Sequence, residues 1–370
     1  MLRKFAVTNY KNFGDRAELD FTNVRNYGFH TQYIRDGLVN KCLIVGKNGC
    51  GKTNLGLALF DIVCTLTDRG FDARQKDQAS FLNGDSDAAY ATFRYEFQSD
   101  HGIVTYEYRK TGPETIVYEM MEVDGTTVFM RDGAKGDYSG LSRYGSGNLR
   151  VDVQDGSLSV LRYIVNNTVQ PEGSPMTYVM EFANRMLYYR SVNDGNAYVG
   201  LTKGSETIEK YIVDNGLVKD FQRFLKEMAD IDVRLSNVKV QGMMDIFVQE
   251  TRNRKLVFNS VASSGTKALM LLYYWMRHFD GVSFLFMDEF DAYYHYELAE
   301  KVLCRISDMN EIQTVFTTHN TALVTNRILR PDCYLKMDGC DIRSLPDLTD
   351  REIREGHNLE KLLRGGEFDE

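Results

Sequence analysis

Residues 44–54 read IVGKNGCGKTN, and within them Gly46-Lys47-Asn48-Gly49-Cys50-Gly51-Lys52-Thr53 fits the pattern G-x-x-x-x-G-K-[ST]. The pattern has a physical reason. Glycines permit a tight loop whose backbone N–H groups converge on phosphate oxygens, and the following helix adds the positive end of its dipole. Lys52 is placed to reach the β- and γ-phosphates, and the Thr53 hydroxyl to hold Mg²⁺. The flanks agree. KCLIVG, residues 41–46, is an apolar run of strand length, and Leu55, Leu59, Ile62 and Leu66 recur at helical spacing over 52–68. The reading is a phosphate loop, with Gly46, Asn48, Gly49, Cys50, Gly51, Lys52 and Thr53 as the residues that cradle ATP.

A phosphate loop needs a carboxylate partner. VSFLFMDEF, residues 282–290, is an apolar strand ending in Asp288-Glu289. Asp288 at a strand end is placed to reach Mg²⁺ through water, and Glu289 to accept a proton from an attacking water. Alone, such a strand would simply end in two solvated acids; the phosphate loop makes the pair a candidate site. Two further stretches join them. NSVASSGTKAL, residues 259–269, sets Ser263, Ser264, Gly265 and Thr266 before an apolar helix, which reads as an ordinary N-cap when taken alone and as an anion site in company. QTVFTTHN, residues 313–320, puts His319 at the end of a strand.

Composition sets bounds. The chain has 370 residues, is 43% hydrophobic and carries a formal net charge of −8, which supports a large core and argues against bulk-charge coating of nucleic acid. Its six cysteines include no C-x-x-C pair, so neither zinc nor a disulfide framework is expected. No stretch reaches the roughly 18 apolar residues of a membrane span, and MLRKFAVTNYKNF is not a signal peptide. A cytoplasmic protein is expected, with no membrane partner. Only five prolines occur and no linker stands out, so the chain reads as one unit.

The rest of the chain organises around the site. KFAVTNYKNF and AELDF read as two short strands. AYATFRYEFQ, GIVTYEYRK, TIVYEMMEV and TTVFMR read as strands joined by turns at SDHG, TGPE and VDG. Residues 158–192 read as mixed to helical, 205–231 as a helical pair, 233–241 and 244–250 as strands, and 266–279 as an apolar helix. Residues 331–370 read as irregular and polar. Gly-rich 131–150, with four basic residues, reads as a flexible loop or, less simply, a contact for nucleic acid or a partner. Trp275 reads as core, His295 as structural, and Cys50 as filling a small-residue slot in the loop.

The order GKNGCGKT, SSGT, apolar-DE, TTH resembles the ABC-type ATPase heads. More closely, it is similar to the stand-alone branch shared with SMC, RecF and OLD-like proteins, often described as AAA-family ATP-binding proteins of bacterial phage defence and abortive infection. The resemblance spans nearly the whole chain: LRKFAVTNYKNFGDRAELDF resembles that family's N-terminal strand pair, MDEFDAYYH its Walker B and D-loop, and LRPDCYLKMDG with REIREGHNLEKLLRGGEF its ending. Two departures stand out. Ser263-Ser264-Gly265 replaces Ser-Gly-Gly, and Tyr294-His295 stands where Leu-His is commoner.

The resemblance implies an α/β P-loop NTPase of ABC/SMC-head type, with an antiparallel β-hairpin subdomain and a helical insertion. It divides into an N-lobe at 1–155, an insertion at 156–260 and a C-lobe at 261–370. It implies a homodimer, or a higher homo-oligomer, that sandwiches ATP and Mg²⁺. Lys52 and Thr53 of one subunit would face Ser263 and Gly265 of the other. His319 would bond the γ-phosphate, and Glu289 would activate water. Gln154 is the candidate for the glutamine that helps Thr53 and Asp288 at the metal; it also reads as an exposed loop residue. The chain has no coiled-coil arm, no membrane segment and only about 80 residues beyond Glu289, too few for a nuclease domain. A separate effector, a nuclease or toxin, is therefore expected. A RecF-like DNA-repair ATPase and a transporter subunit are the alternatives; the latter lacks a full LSGGQ signature and a clear Q-loop.

Overall fold

The computed structural model describes residues 1–69, 78–149, 151, 156–190, 198–200, 207–240 and 244–369. The chain opens with β1 (Leu2–Thr8), β2 (Ala17–Asp20), the short ladder of β3 (Ile34–Arg35) and β4 (Leu38–Val39), and β5 (Lys41–Val45). Helices α1 (Lys52–Leu59) and α2 (Asp61–Leu66) follow the glycine loop. Next come the hairpin strands β6 (Ala91–Ser99), β7 (Gly102–Gly112), β8 (Thr115–Val123), β9 (Thr126–Asp132) and β10 (Lys135–Asp137). The middle holds α3 (Val160–Asn167), α4 (Pro175–Asn184), β11 (Met186–Arg190), β12 (Tyr198–Gly200), α5 (Ile208–Asp214) and α6 (Val218–Ala229). A small sheet of β13 (Arg234–Val240), β14 (Met244–Glu250) and β15 (Lys255–Val257) precedes α7 (Phe258–Val261) and α8 (Ser264–Met276). The chain ends with β16 (Phe284–Asp288), α9 (Tyr296–Ser307), β17 (Gln313–Thr318), β18 (Tyr334–Asp338), β19 (Asp341–Ser344) and α10 (Leu359–Arg364).

Two seven-stranded sheets carry the fold. One runs β10-β9-β8-β7-β6-β1-β2 and is antiparallel throughout. The other runs β12-β11-β16-β17-β5-β18-β19; its five inner strands are parallel and its two edge strands antiparallel. Sequence dictates the difference. β6 alternates, sending Ala91, Phe93, Tyr95 and Phe97 inward, as a half-buried strand must. β5, β16 and β17 are buried at every residue, the pattern of parallel strands covered on both faces.

Helices α1 and α2 lie between the sheets. The Tyr95 hydroxyl of β6 donates to the carbonyls of Ala58 (3.2 Å) and Leu59 (3.1 Å). Phe60, between the two helices, packs its ring on Tyr188, Phe284 and Phe286 of the parallel sheet. Leu55, Leu59, Ile62 and Leu66 are all buried, as their spacing predicts, but the helix is broken at Phe60, whose backbone leaves helical geometry (φ −89°, ψ 0°). Trp275 is core, stacked on Tyr189.

Residues 158–190 are mixed to helical as read, with α3, α4 and the strand Met186–Arg190 beside β16. Two readings need correction. The ending is not irregular, since β18 joins the parallel sheet next to β5 and buries Tyr334, Leu335 and Met337. Glycine-rich 131–150 is partly ordered as β10 and a 3-10 turn over Ser139–Tyr144, and Arg131 is buried against Glu119 at 3.7 Å, so it is no surface cation. Among the described residues the longest helix is α8, with 13 residues, and none is long and apolar enough to cross a membrane.

Candidate nucleotide site

The glycine loop leaves the end of β5 and turns into α1 between two walls. Gly51 has φ +109°, a backbone region that side chains avoid, and a Cβ there would stand 2.4 Å from the Asn12 amide. A Cβ on Gly46 would stand 2.6 Å from the Met337 carbonyl and 2.7 Å from Cys50 Sγ. The loop is thus wedged between the turn after β1 and strand β18. Asn12 reinforces this wall: its amide donates to the Cys50 carbonyl (3.4 Å), and its oxygen accepts from Asn54 (2.6 Å).

Lys52 opens α1 and is buried. Its ammonium donates to the carbonyls of Gly46 (2.8 Å) and Lys47 (3.0 Å) and to His319 Nδ1 (2.9 Å), and lies 3.7 Å from Cys50 Sγ. Burial lowers its pKa from the usual lysine value. His319 Nδ1 also stands 3.1 Å from the Gly46 carbonyl; an ammonium has no lone pair, so the shorter contact to Lys52 takes Nδ1 as acceptor and sets the ring proton on Nε2, 3.4 Å from Glu289 Oε1.

The carboxylates arrive from the neighbouring strands. Asp288 ends β16 and is wholly buried. Its Oδ2 accepts from the Thr53 hydroxyl (2.8 Å) and the Tyr188 hydroxyl (3.1 Å), and its Oδ1 from the Thr317 hydroxyl (2.7 Å). Glu289 takes a left-handed backbone (φ +47°), pinned where its N–H donates to Thr317 Oγ1 at 2.8 Å. The Arg190 guanidinium lies 2.7 Å from Glu289 Oε2 and 3.3 Å from Asp288 Oδ2. Burial alone would raise the Glu289 carboxyl, but Arg190 and His319 outweigh it and hold its pKa below the usual glutamate range. Thr53 and Asp288 together offer the hard oxygen donors that Mg²⁺ favours, one hydroxyl and one carboxylate with room left to waters, so the donor set fits that ion.

Two cavities open here. One, about 870 Å³, is lined by Gly46, Lys47, Asn48 and His319 together with Lys336 and Arg343. The other, about 520 Å³, is lined by Asn48, Gly49, Glu289, Asp291 and His319. Gly46, Asn48, Gly49, Cys50, Gly51, Lys52, Thr53, Asp288, Glu289 and His319 are therefore brought together. Ser263 and Gly265 line neither cavity. Ser263 caps α8, accepting from the Thr266 N–H at 3.2 Å, and a Cβ on Gly265 would stand 3.1 Å from the Tyr293 carbonyl. The signature segment thus touches the loop after Glu289 within the same chain. Gln154 lies outside the described residues. His295 is structural, its Nδ1 capping α9 at the Leu298 N–H (3.1 Å).

The sequence reading missed Arg190, Tyr188, Thr317 and Asn12. Thr317 sits inside the TTH stretch and Asn12 inside NYKNF, so both were in quoted motifs without a role. Tyr188 and Arg190 carry no local signal, because only the sheet order sets β11 against β16.

Residues 181–325 match the family described as "AAA domain, putative AbiEii toxin, Type IV TA system". That span includes Arg190, Ser263, Asp288, Glu289 and His319 and leaves the phosphate loop outside. No curated protein matches the sequence. Among solved structures, the chain is similar to the SMC head domain from Thermotoga maritima, at 15% identity over 95% of this chain and 99% of that one, with a TM-score of 0.42. It is also similar to an SMC head bound to the C-terminal winged-helix domain of ScpA (14% identity, 93% and 97% covered, TM-score 0.48). A third is an SMC head with an extended coiled coil bound to the C-terminal domain of ScpA, derived from Pyrococcus furiosus (12%, 94% and 97%, 0.45). With its phosphate loop between β5 and α1, its carboxylate pair two strands away on β16 and its separate antiparallel sheet, the chain is an α/β protein with a P-loop fold.

Proposed function

We propose that the chain is an ATP-binding and ATP-hydrolysing switch that works as a homodimer or higher homo-oligomer. One observation carries this reading. Lys52, Thr53, Asp288, Glu289 and His319 form a continuous set of contacts at one end of the parallel sheet, while Ser263 and Gly265 sit outside it. In the proposal Lys52 exchanges its carbonyl and imidazole acceptors for β- and γ-phosphate oxygens, and the amides of 46–53 cradle the rest. Thr53 and Asp288 hold Mg²⁺, with Gln154 as the proposed third residue; the ion supplies charge neutralisation on the phosphates. Glu289 takes the proton of the attacking water as the bond between the γ-phosphorus and its bridging oxygen breaks. His319 bonds the γ-phosphate. Ser263 and Gly265 of a second copy complete the site.

Hydrolysis would then loosen the dimer and signal to a separately encoded effector, a nuclease or toxin. The wording of the matched family, which names a toxin and a toxin–antitoxin system, supports placing the switch in such a system; abortive infection, antiviral defence and the cytoplasm are part of the same proposal. The division into lobes 1–155, 156–260 and 261–370 and a contact with nucleic acid belong to the same proposal. Mixing Lys52→Ala subunits with Ser263→Arg subunits tests it. Each variant alone should be inactive, and the mixture should regain phosphate release, because a mixed dimer keeps one intact composite site. A mixture that forms dimers and stays silent would sink the composite site.

A further inference from the structure

Asp288 and Glu289 are consecutive, and consecutive residues of a strand point to opposite faces. Here they do not diverge: the left-handed turn at Glu289 (φ +47°) brings both carboxylates to one guanidinium. Two neighbouring negative charges, one wholly buried, need a counter-ion. Lys52 directs its protons to Gly46, Lys47 and His319. Among the described residues Arg190 is the cation in contact with both acids. The parallel register of β11 and β16 sets it opposite Asp288. One nitrogen donates to Glu289 Oε2 at 2.7 Å, and Nε stands 3.3 Å from Asp288 Oδ2, an ion contact without hydrogen-bond geometry. That same Oδ2 accepts the Thr53 hydroxyl, so Arg190 and a metal held by Thr53 and Asp288 would compete for one carboxylate.

We propose that Arg190 is a positioning residue with two duties. Its guanidinium is the counter-ion of the Asp288–Glu289 pair. It also keeps Glu289 aimed at the water, and would do so with Mg²⁺ held by Thr53 and Asp288. The second duty rests on the ATPase reading; the first does not.

The test uses the full chain with Arg190→Met, Arg190→Lys and the double variant Arg190→Met/Glu289→Gln. In EDTA, Arg190→Met should lower the Tm by roughly 5 °C, Arg190→Lys by no more than about 2 °C, and the double variant should recover most of the loss because one of the repelling charges is gone. With ADP present, Mn²⁺ binding followed by electron paramagnetic resonance should tighten about fivefold in Arg190→Met, since a competing cation has left Asp288. A residue that merely supported the fold would weaken it. In turnover, Arg190→Met should lose about 30-fold in kcat with KM within about threefold, and Arg190→Lys should restore part of it. A double variant as unstable as Arg190→Met, or weaker Mn²⁺ binding, overturns the counter-ion role. Unchanged kcat overturns the positioning of Glu289. Should Arg190→Met not fold, Arg190→Lys decides: Mn²⁺ binding and stability near the parent with reduced kcat support the proposal, and loss of all three overturns it. If the parent protein neither binds nor hydrolyses ATP, the ATPase reading fails, and the stability arms in EDTA still decide whether Arg190 is the counter-ion.

Discussion

Lys52 Nζ and His319 Nδ1 lie 2.9 Å apart, so the lysine of the phosphate loop and the histidine at the end of β17 form one hydrogen-bonded unit. The lysine must donate, which leaves the imidazole Nε2–H facing Glu289 Oε1 at 3.4 Å. Glu289→Gln tests the far end of this unit. The amide oxygen can accept from Arg190 or from His319 but not from both, so the side-chain size is kept while the base is removed. Phosphate release should fall by about 10²- to 10⁴-fold with ATP still bound, and size-exclusion chromatography with ATP and Mg²⁺ should show an accumulated dimer. Normal turnover in this variant would end the assignment of Glu289 as base.

Much of this arrangement was legible in the sequence, and the reason is chemical. Phosphate and metal chemistry demand fixed residue types in short runs, so GKNGCGKT, the DE pair and TTH each announce themselves. The strands that carry them are continuous apolar runs, and the hairpins alternate visibly. What stayed hidden depends on sheet order. Arg190 meets Glu289 from 99 positions away, and its strand, MLYYR, is a five-residue run, buried up to Arg190, without periodicity. Strand β18 was obscured by its polar residues, since Lys336 leaves the core to reach the Phe368 carbonyl (2.8 Å) and Asp369 (2.6 Å). The break at Phe60 was masked because both halves of the helix keep the same apolar spacing across it.

Glu119 is the second buried carboxylate with a large stake in the fold. It lies in β8, fully buried, and accepts from the Tyr106 hydroxyl (3.0 Å), the Ser159 hydroxyl (2.7 Å) and the N–H groups of Val160 (2.7 Å) and Leu161 (3.0 Å). One side chain thus ties the hairpin sheet to the first turn of α3, where a negative charge is favoured. Glu119→Ala takes the acceptor from those donors and a counter-charge from the buried Arg131. The expected loss is about 3–5 kcal/mol in urea unfolding. A loss under about 1 kcal/mol would show that water replaces the carboxylate without penalty.

Lys41 gives a pH dependence far from the nucleotide. It starts β5, at the end opposite the phosphate loop, and is wholly buried. Its ammonium donates to carbonyl groups of Met309 (2.8 Å) and Ile312 and to the Thr314 hydroxyl (3.4 Å). Burial first, and then the nearby Arg35, push its pKa down to about 7. In the unfolded chain the group returns to the ordinary lysine value near 10.4. Between these values the unfolded state binds more protons than the folded one, so stability rises with pH through that window. The penalty is full below about pH 7 and gone above the unfolded pKa; its size is on the order of a few kcal/mol. Lys41→Met removes the titration, and comparing the two proteins cancels the groups they share. From pH 7 to 10, urea unfolding of the parent should gain a few kcal/mol relative to Lys41→Met, the two curves drifting steadily in one direction. Curves that stay parallel across the window would mean that Lys41 carries its charge at no cost, held by its three oxygen acceptors alone.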